Sequence, residues 1–261
     1  MWVLGGLSPR RRALFVGVAA LVGVVVAVVA VRVVAGRVGG DAVPQDRVGP
    51  VVLVPGYGGG AGGLGVLAER LRRDGRQAVV LDLPGDGTGD LREQARVLDR
   101  QVGEALRGGA PSVDVVGHSA GGVVARLWAD EYDGARKARR IVSLGSPHRG
   151  AQLAAAGAAL GSAACPTACR QLAPDSDLLR GLGGRVPERP AFMSVWTRLD
   201  ETVTPPESAR LGGAVNVVVQ DVCPDARTGH AELPSDPDVM GIVLRALGTG
   251  PLTAPRACGP A

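Results

Sequence analysis

The sequence predicts an α/β protein with a mostly parallel sheet of about six strands, covered by helices on both faces. Three observations point there. Six short β-branched runs recur between residues 51 and 220, each almost continuously apolar, as strands buried on both faces are. Segments with apolar residues at helical spacing separate most of them. The chain has 261 residues, 46% hydrophobic, enough for one sizeable domain with its own core.

Ahead of that domain, Ala13 to Val31 is an uncharged apolar stretch of 19 residues. As a helix it would be about 28 Å long, sufficient to cross a hydrocarbon core. "SPRRR" precedes it, and the positive-inside rule holds that cluster in the cytoplasm. Residues 1–38 therefore read as an uncleaved signal anchor, since a cleaved signal peptide has a shorter apolar core. Cleavage near "VVA", before Gly36, is the competing reading, and the paired arginines also resemble a twin-arginine export signal. All of these readings place the following domain outside the cytoplasm, either anchored to the membrane or secreted. Residues 39–50, "GGDAVPQDRVGP", read as a linker.

The domain then spans residues 51–261. Its strands are expected at "VVLVP" (51–55), "QAVVLDL" (77–83), "VDVVGH" (113–118), "RIVSLGS" (140–146), "AFMSVW" (191–196) and "AVNVVVQ" (214–220). Helices are expected near 63–74, 89–107, 120–132, 150–160 and 236–247. Residues 150–190 are rich in Ala, Gly and Pro and read as an excursion over the strand ends, a candidate small cap. In parallel sheets ligands bind beyond the carboxyl ends of the strands, so functional residues should follow the strands.

The net charge of +4 does not indicate a nucleic-acid partner. Five arginines and no acid lie in residues 1–37, which leaves 24 basic against 25 acidic side chains in the rest. No basic stripe with interleaved aromatics remains. Four cysteines, an even number in a chain that reads as exported, predict disulfides. Cys165 and Cys169 can close a small loop, which leaves Cys223 for Cys258. Zinc is the rival reading, but C-x₃-C without a nearby histidine is poor metal spacing.

The glycine loop after the first strand fits G-x-G-x-x-G at Gly58, Gly60 and Gly63, with Asp82 further on, which would suit a dinucleotide. A second motif competes with it. Gly117-His118-Ser119-Ala120-Gly121 is G-x-S-x-G, set where an apolar strand meets an apolar-periodic helix, as a nucleophile elbow requires. In so glycine-rich a chain the bland alternative is a connection with an idle serine. A serine hydroxyl needs a base. His118 lies inside the elbow and reads as a structural or pocket residue; His148, in "GSPHRGA", reads as lining the site. His230, in a loop after the last strand, is the base of choice. Asp200, just past Trp196, is the acid that would orient it, with Glu201 and Asp221 as alternatives. The chain order Ser119, Asp200, His230 is that of the α/β-hydrolases.

With "VPGYGG", "GHSAGG", "GSPHRG", "WTRLDETVTPPESARL" and "VNVVVQDVCPDARTGHAEL", the chain resembles an α/β-hydrolase of the small bacterial triacylglycerol lipase/esterase type, from Val51 to about Leu247. It departs from many relatives in reading Pro55-Gly56 where they read H-G. The resemblance implies the α/β-hydrolase fold with a small or absent cap, and oxyanion donors at the N–H groups of Tyr57 and Ala120. It implies a Ser-His-Asp esterase acting on lipid or acyl esters through an acyl-enzyme, with no cofactor and no metal. Acyl transfer or thioester cleavage by the same residues is the alternative, followed by a non-catalytic envelope protein on this fold. A dinucleotide oxidoreductase would leave Ser119, Asp200 and His230 unexplained.

Overall fold

All six expected strands form: β1 (Val51–Val54), β2 (Ala78–Val80), β3 (Val113–His118), β4 (Ala138–Leu144), β5 (Ala191–Trp196) and β6 (Val215–Val218). The helices are α1 (Gly62–Arg73), α2 (Leu91–Arg107), α3 (Ala120–Glu131), α4 (Gln152–Ala159), α5 (Thr167–Gln171), α6 (Asp177–Leu182), α7 (Val219–Val222) and α8 (Pro237–Ala246). This computed structural model describes residues 43–259 and, before them, only Val18, Val22 and Gly23, which are helical. The rest of the apolar segment 13–31 lies outside the described residues, among which no helix is long and apolar enough to cross a membrane.

The sheet is parallel throughout, in the order β2-β1-β3-β4-β5-β6. Its register explains the unbroken apolar runs. Val80, Leu53, Val116, Val142, Met193 and Val215 pair in one row across all six strands. That row belongs to the core beneath α1 and α8, with Leu64, Leu67 and Leu71 from α1 and Val239, Ile242 and Val243 from α8. Val52, Val115, Ile141 and Phe192 face the other way, toward Leu91, Leu98, Val124 and Trp128 of α2 and α3. Each such side chain contributes roughly 1.5–3 kcal/mol by leaving water, so both faces must be apolar.

Residues 150–190 do not form a body with a core of its own. Ala154, Ala168, Leu172, Leu178 and Leu179 join the α2–α3 core. The segment is tied down by Ala168 N–H to Thr88 O (3.0 Å) and by Gln171, which bonds Asp90 and the Leu91 N–H. Cys165–Cys169 and Cys223–Cys258 are disulfide-bonded, which is compatible with an oxidising, extracytoplasmic compartment. Residues 43–50 pack on the domain: Val43 is buried, and the Pro50 carbonyl accepts from Asp114 N–H at 2.9 Å.

Several elements differ from expectation: β2 stops at Val80, and α5, α6 and α7 are helices the sequence pattern does not announce. β4 starts at Ala138, so Arg139 and Arg140 lie inside a buried strand. Asp114, itself fully buried, takes Arg139 at 2.6 Å and Arg76 at 2.6 Å. Arg139 also donates to the Leu247 and Gly248 carbonyls, and Arg140 to those of Ala246 and Gly250. The three cations thus cap the C-terminal end of α8, where the helix dipole is negative. β6 is short because the chain turns into α7 at Val219.

Candidate active site

β1 and β3 are neighbours, while β2 lies on the far side of β1. The chain therefore diverges at the carboxyl ends of β1 and β3, which is where open α/β sheets form their crevice. The loops carrying Tyr57 and Ser119 leave from those two ends.

Ser119 joins β3 to α3 with φ 53° and ψ −125°, a conformation that side chains other than glycine rarely adopt. Its N–H donates to the Leu144 carbonyl at 2.8 Å. The glycines around it are steric necessities. A Cβ on Gly117 would sit 2.4 Å from the Gly121 carbonyl oxygen, and one on Gly121 would sit 2.1 Å from that of Val54. A Cβ on Gly56 would meet the Ser119 Cβ at 3.0 Å. The first loop therefore presses directly on the serine, and it does so with Pro55-Gly56 in place of H-G.

The structure brings Asp200 and His230 together. Asp200 Oδ2 lies 2.7 Å from His230 Nδ1, and both residues are buried. Asp200 Oδ1 accepts from the N–H groups of Thr202 (3.0 Å) and Val203 (2.7 Å), so a turn fixes one oxygen and leaves the other to the imidazole. A Cβ on Gly145 would lie 3.1 Å from both Asp200 Oδ2 and His230 Nδ1. Gly145 directly follows Leu144, the residue that bonds the Ser119 amide, so the pair and the serine share one corner of the sheet. No hydrogen bond joins Ser119 Oγ to His230 in the structure. Of the alternative acids, Glu201 Oε2 accepts the His230 backbone N–H at 3.2 Å. Asp221 forms an ion pair with Arg198 in which both side chains are more than half exposed.

The other two histidines lack a carboxylate partner. His118 Nε2 lies 3.0 Å from the His230 carbonyl oxygen. Burial, with neighbouring His230 adding to it, lowers its pKa to about 4. His148 is 2% exposed, and its hydrogen-bond partner is a serine within the sheet. Ser194 donates to the Ala209 carbonyl (2.7 Å) and Ser143 to Ser194 (3.2 Å), so Ser143 accepts from His148 Nε2 (2.9 Å). Burial, then the charge of Arg126, pushes His148 down to about 3. Its ring packs edge-on to Phe192.

Ala120 is the first residue of α3, and Tyr57 lies in the turn that the Gly59 N–H closes on the Gly56 carbonyl at 3.1 Å. Neither the Tyr57 nor the Ala120 N–H is taken up among the turn and loop hydrogen bonds. An amide at a helix N-terminus is suited to developing negative charge. Cys223, Asp238 and Cys258 come together, but both sulfurs are spent in a disulfide and offer no thiolate to a metal. A cavity of about 680 Å³ lined by Pro50, Arg76, Gln77 and Glu104 lies at the opposite ends of the strands.

Sequence reasoning did not find the grips of His118 and Glu201 on the His230 backbone. Their only signal was adjacency to Ser119 and Asp200.

Comparison with known proteins bears on the fold. A family model described as "Alpha/beta hydrolase family" matches residues 51–257. Among solved structures, the chain is similar to Bacillus licheniformis lipase BlEst2 in mature form (TM-score 0.63, 19% identity, 80% of this chain and 96% of that one). It is also similar to Aspergillus fumigatus lipase B (TM-score 0.63, 19% identity, 77% of this chain and 52% of that one), of which it spans about half the length. A third likeness is to the monoacylglycerol lipase of Paleococcus ferrophilus (TM-score 0.52, 19% identity, 77% and 94%). No curated protein matches the chain significantly.

Proposed function

Because the chain belongs to the alpha/beta hydrolase family, we propose that it is a serine hydrolase of carboxylic esters of lipid or acyl substrates. The observation that carries this reading is the 2.7 Å contact of Asp200 with His230, beside a serine held at φ 53°. The solved relatives named as lipases support the substrate class.

In this reading Asp200 holds the proton of His230 on Nδ1, which leaves Nε2 free to act as base. His230 takes the Ser119 proton as Oγ attacks the ester carbonyl. The oxyanion is met by the N–H groups of Tyr57 and Ala120; losing one such donor typically costs roughly 10²–10³ in kcat. His230 then protonates the leaving alcohol, and water, activated by the same histidine, releases the acid. His118 does not compete as base, because its Nε2 is engaged by a carbonyl. The N-terminal apolar segment, read from the sequence as anchor or signal, and the two disulfides support a reaction outside the cytoplasm.

The test is hydrolysis of p-nitrophenyl esters from C2 to C16 by wild type and Ser119→Ala, with fluorophosphonate labelling. Turnover that Ser119→Ala abolishes, and a single adduct on Ser119, are expected. Turnover indifferent to Ser119→Ala, or a folded protein that takes no adduct, would overturn the reading.

A further inference from the structure

We propose that His118 is a positioning residue for His230: from inside the elbow, its Nε2–H holds the His230 backbone carbonyl and so fixes the base relative to Ser119. The inference rests on the serine-hydrolase reading and adds to it the device that sets its geometry.

His230 belongs to the loop between α7 and α8, where no strand ladder or helix orders the backbone. Three side chains do so instead. Asp200 takes the ring at Nδ1 (2.7 Å), Glu201 accepts the backbone N–H (3.2 Å), and His118 takes the backbone carbonyl (3.0 Å). The one other donor to that carbonyl is the Leu233 N–H, at a long 3.4 Å. Asp200 and Glu201 are adjacent residues of the loop after β5. Among the hydrogen bonds of the described residues, that of His118 is the one joining the His230 loop to β3, and His118 is covalently next to Ser119.

The chemistry of the contact fixes its direction. A carbonyl oxygen only accepts, so Nε2 carries the proton. His118 is held neutral by burial, with neighbouring His230 as a second cause. It therefore adds no positive charge beside the His230 ring, whose centroid is 4.9 Å away. A cation there would oppose the imidazolium that forms during attack. Since Ser119 Oγ and His230 are not yet bonded, attack requires that gap to close, and a misplacement of about 1 Å can cost roughly 10²-fold in rate.

The test compares His118→Gln, whose amide N–H can reach the carbonyl, with His118→Phe and His118→Ala, which cannot donate. For each folded variant, kcat and KM are measured on p-nitrophenyl butyrate, with the rate of fluorophosphonate labelling and the Tm. We expect kcat and labelling to fall roughly 10–100-fold in the Phe and Ala variants with KM within about twofold, and Gln to restore most of the loss. Wild-type kcat in either donorless variant would overturn the proposal. So would equal losses in Gln, Phe and Ala, which would indicate packing and not the hydrogen bond. His230→Ala separates the parent reading: if it retains wild-type turnover, the base assignment fails and takes the proposal with it. If it is inactive while the position 118 variants are indifferent, only the positioning role fails.

Discussion

Ser119 holds a backbone conformation that costs on the order of 1–3 kcal/mol, and such strain persists only where the surroundings leave no alternative. The surroundings are the bare Cα atoms of Gly117 and Gly121. Gly121→Ala would drive a Cβ to 2.1 Å from the Val54 carbonyl and 2.5 Å from that of Pro55, both backbone atoms that cannot swing away. We expect a loss of about 1–3 kcal/mol or more, read as a Tm lower by about 2–4 °C per kcal/mol, together with loss of fluorophosphonate labelling. Asp200→Asn separates fold from chemistry. Thr202 and Val203 can still bond the remaining oxygen, but the amide no longer selects the Nδ1–H tautomer. A kcat lower by roughly 10⁴ with little change in Tm is the expected result; an unchanged kcat would remove Asp200 from the mechanism. The elbow was legible in the sequence because steric exclusion forces glycine and leaves a compositional mark. The grips on His230 were not, because a backbone carbonyl accepts from any donor and imposes no residue pattern. The hydrogen bond of His148 to Ser143 was not legible either, because proximity along the chain does not reveal which way a side chain turns.

At the level of elements, strand positions were legible for the same kind of reason: burial on both faces demands unbroken apolar runs. The start of β4 was not: the strand is expected from Arg140, but Ala138 and Arg139 belong to it too, and the partners of Arg139 are distant in sequence. α5 and α6 were folded into a featureless excursion because their few apolar residues serve the α2–α3 core and not a face of their own. The disulfides were readable from number and spacing. Cys223–Cys258, with a sequence separation of 35, pins the C-terminal tail to the end of α7. It touches none of the residues assigned to catalysis, so it should act on stability alone. The double variant Cys223→Ala/Cys258→Ala is expected to lose roughly 2–4 kcal/mol in chemical denaturation and to keep its kcat on p-nitrophenyl butyrate. A large fall in kcat at a temperature where the variant is fully folded would contradict that separation.

For the whole molecule, buried ionisable groups decide how stability responds to substitution and to acid. Asp114 balances Arg139 and Arg76 at the end of the sheet opposite Ser119. Asp114→Ala would leave a fully buried guanidinium without its counter-charge, and breaking such a pair costs about 3–5 kcal/mol. Two buried histidines contribute to the acid response. His118 and His148 are held at about 4 and about 3, well below the ordinary value, chiefly by burial. A lowered folded pKa means that the unfolded chain binds the proton first. Their contribution to stability is therefore complete above about pH 6.5 and is lost as pH falls from there toward the folded values, by up to about 1.4 kcal/mol per pH unit for each. Near His148 stand the Arg126 charge, which also opposes protonation, and the Ser143 hydroxyl, which accepts its Nε2–H. None of the assigned catalytic groups touches it. His148→Gln keeps a donor for Ser143 and removes the titration, so the difference between wild type and variant isolates this one group. Urea denaturation at pH 7.5, 6.5, 5.5 and 5 should show wild-type stability falling more steeply than that of His148→Gln, the two curves converging as pH drops. Parallel curves across that range would mean that His148 takes up its proton in the folded state as readily as in the unfolded one, and that its burial between Ser143 and Phe192 does not hold it neutral.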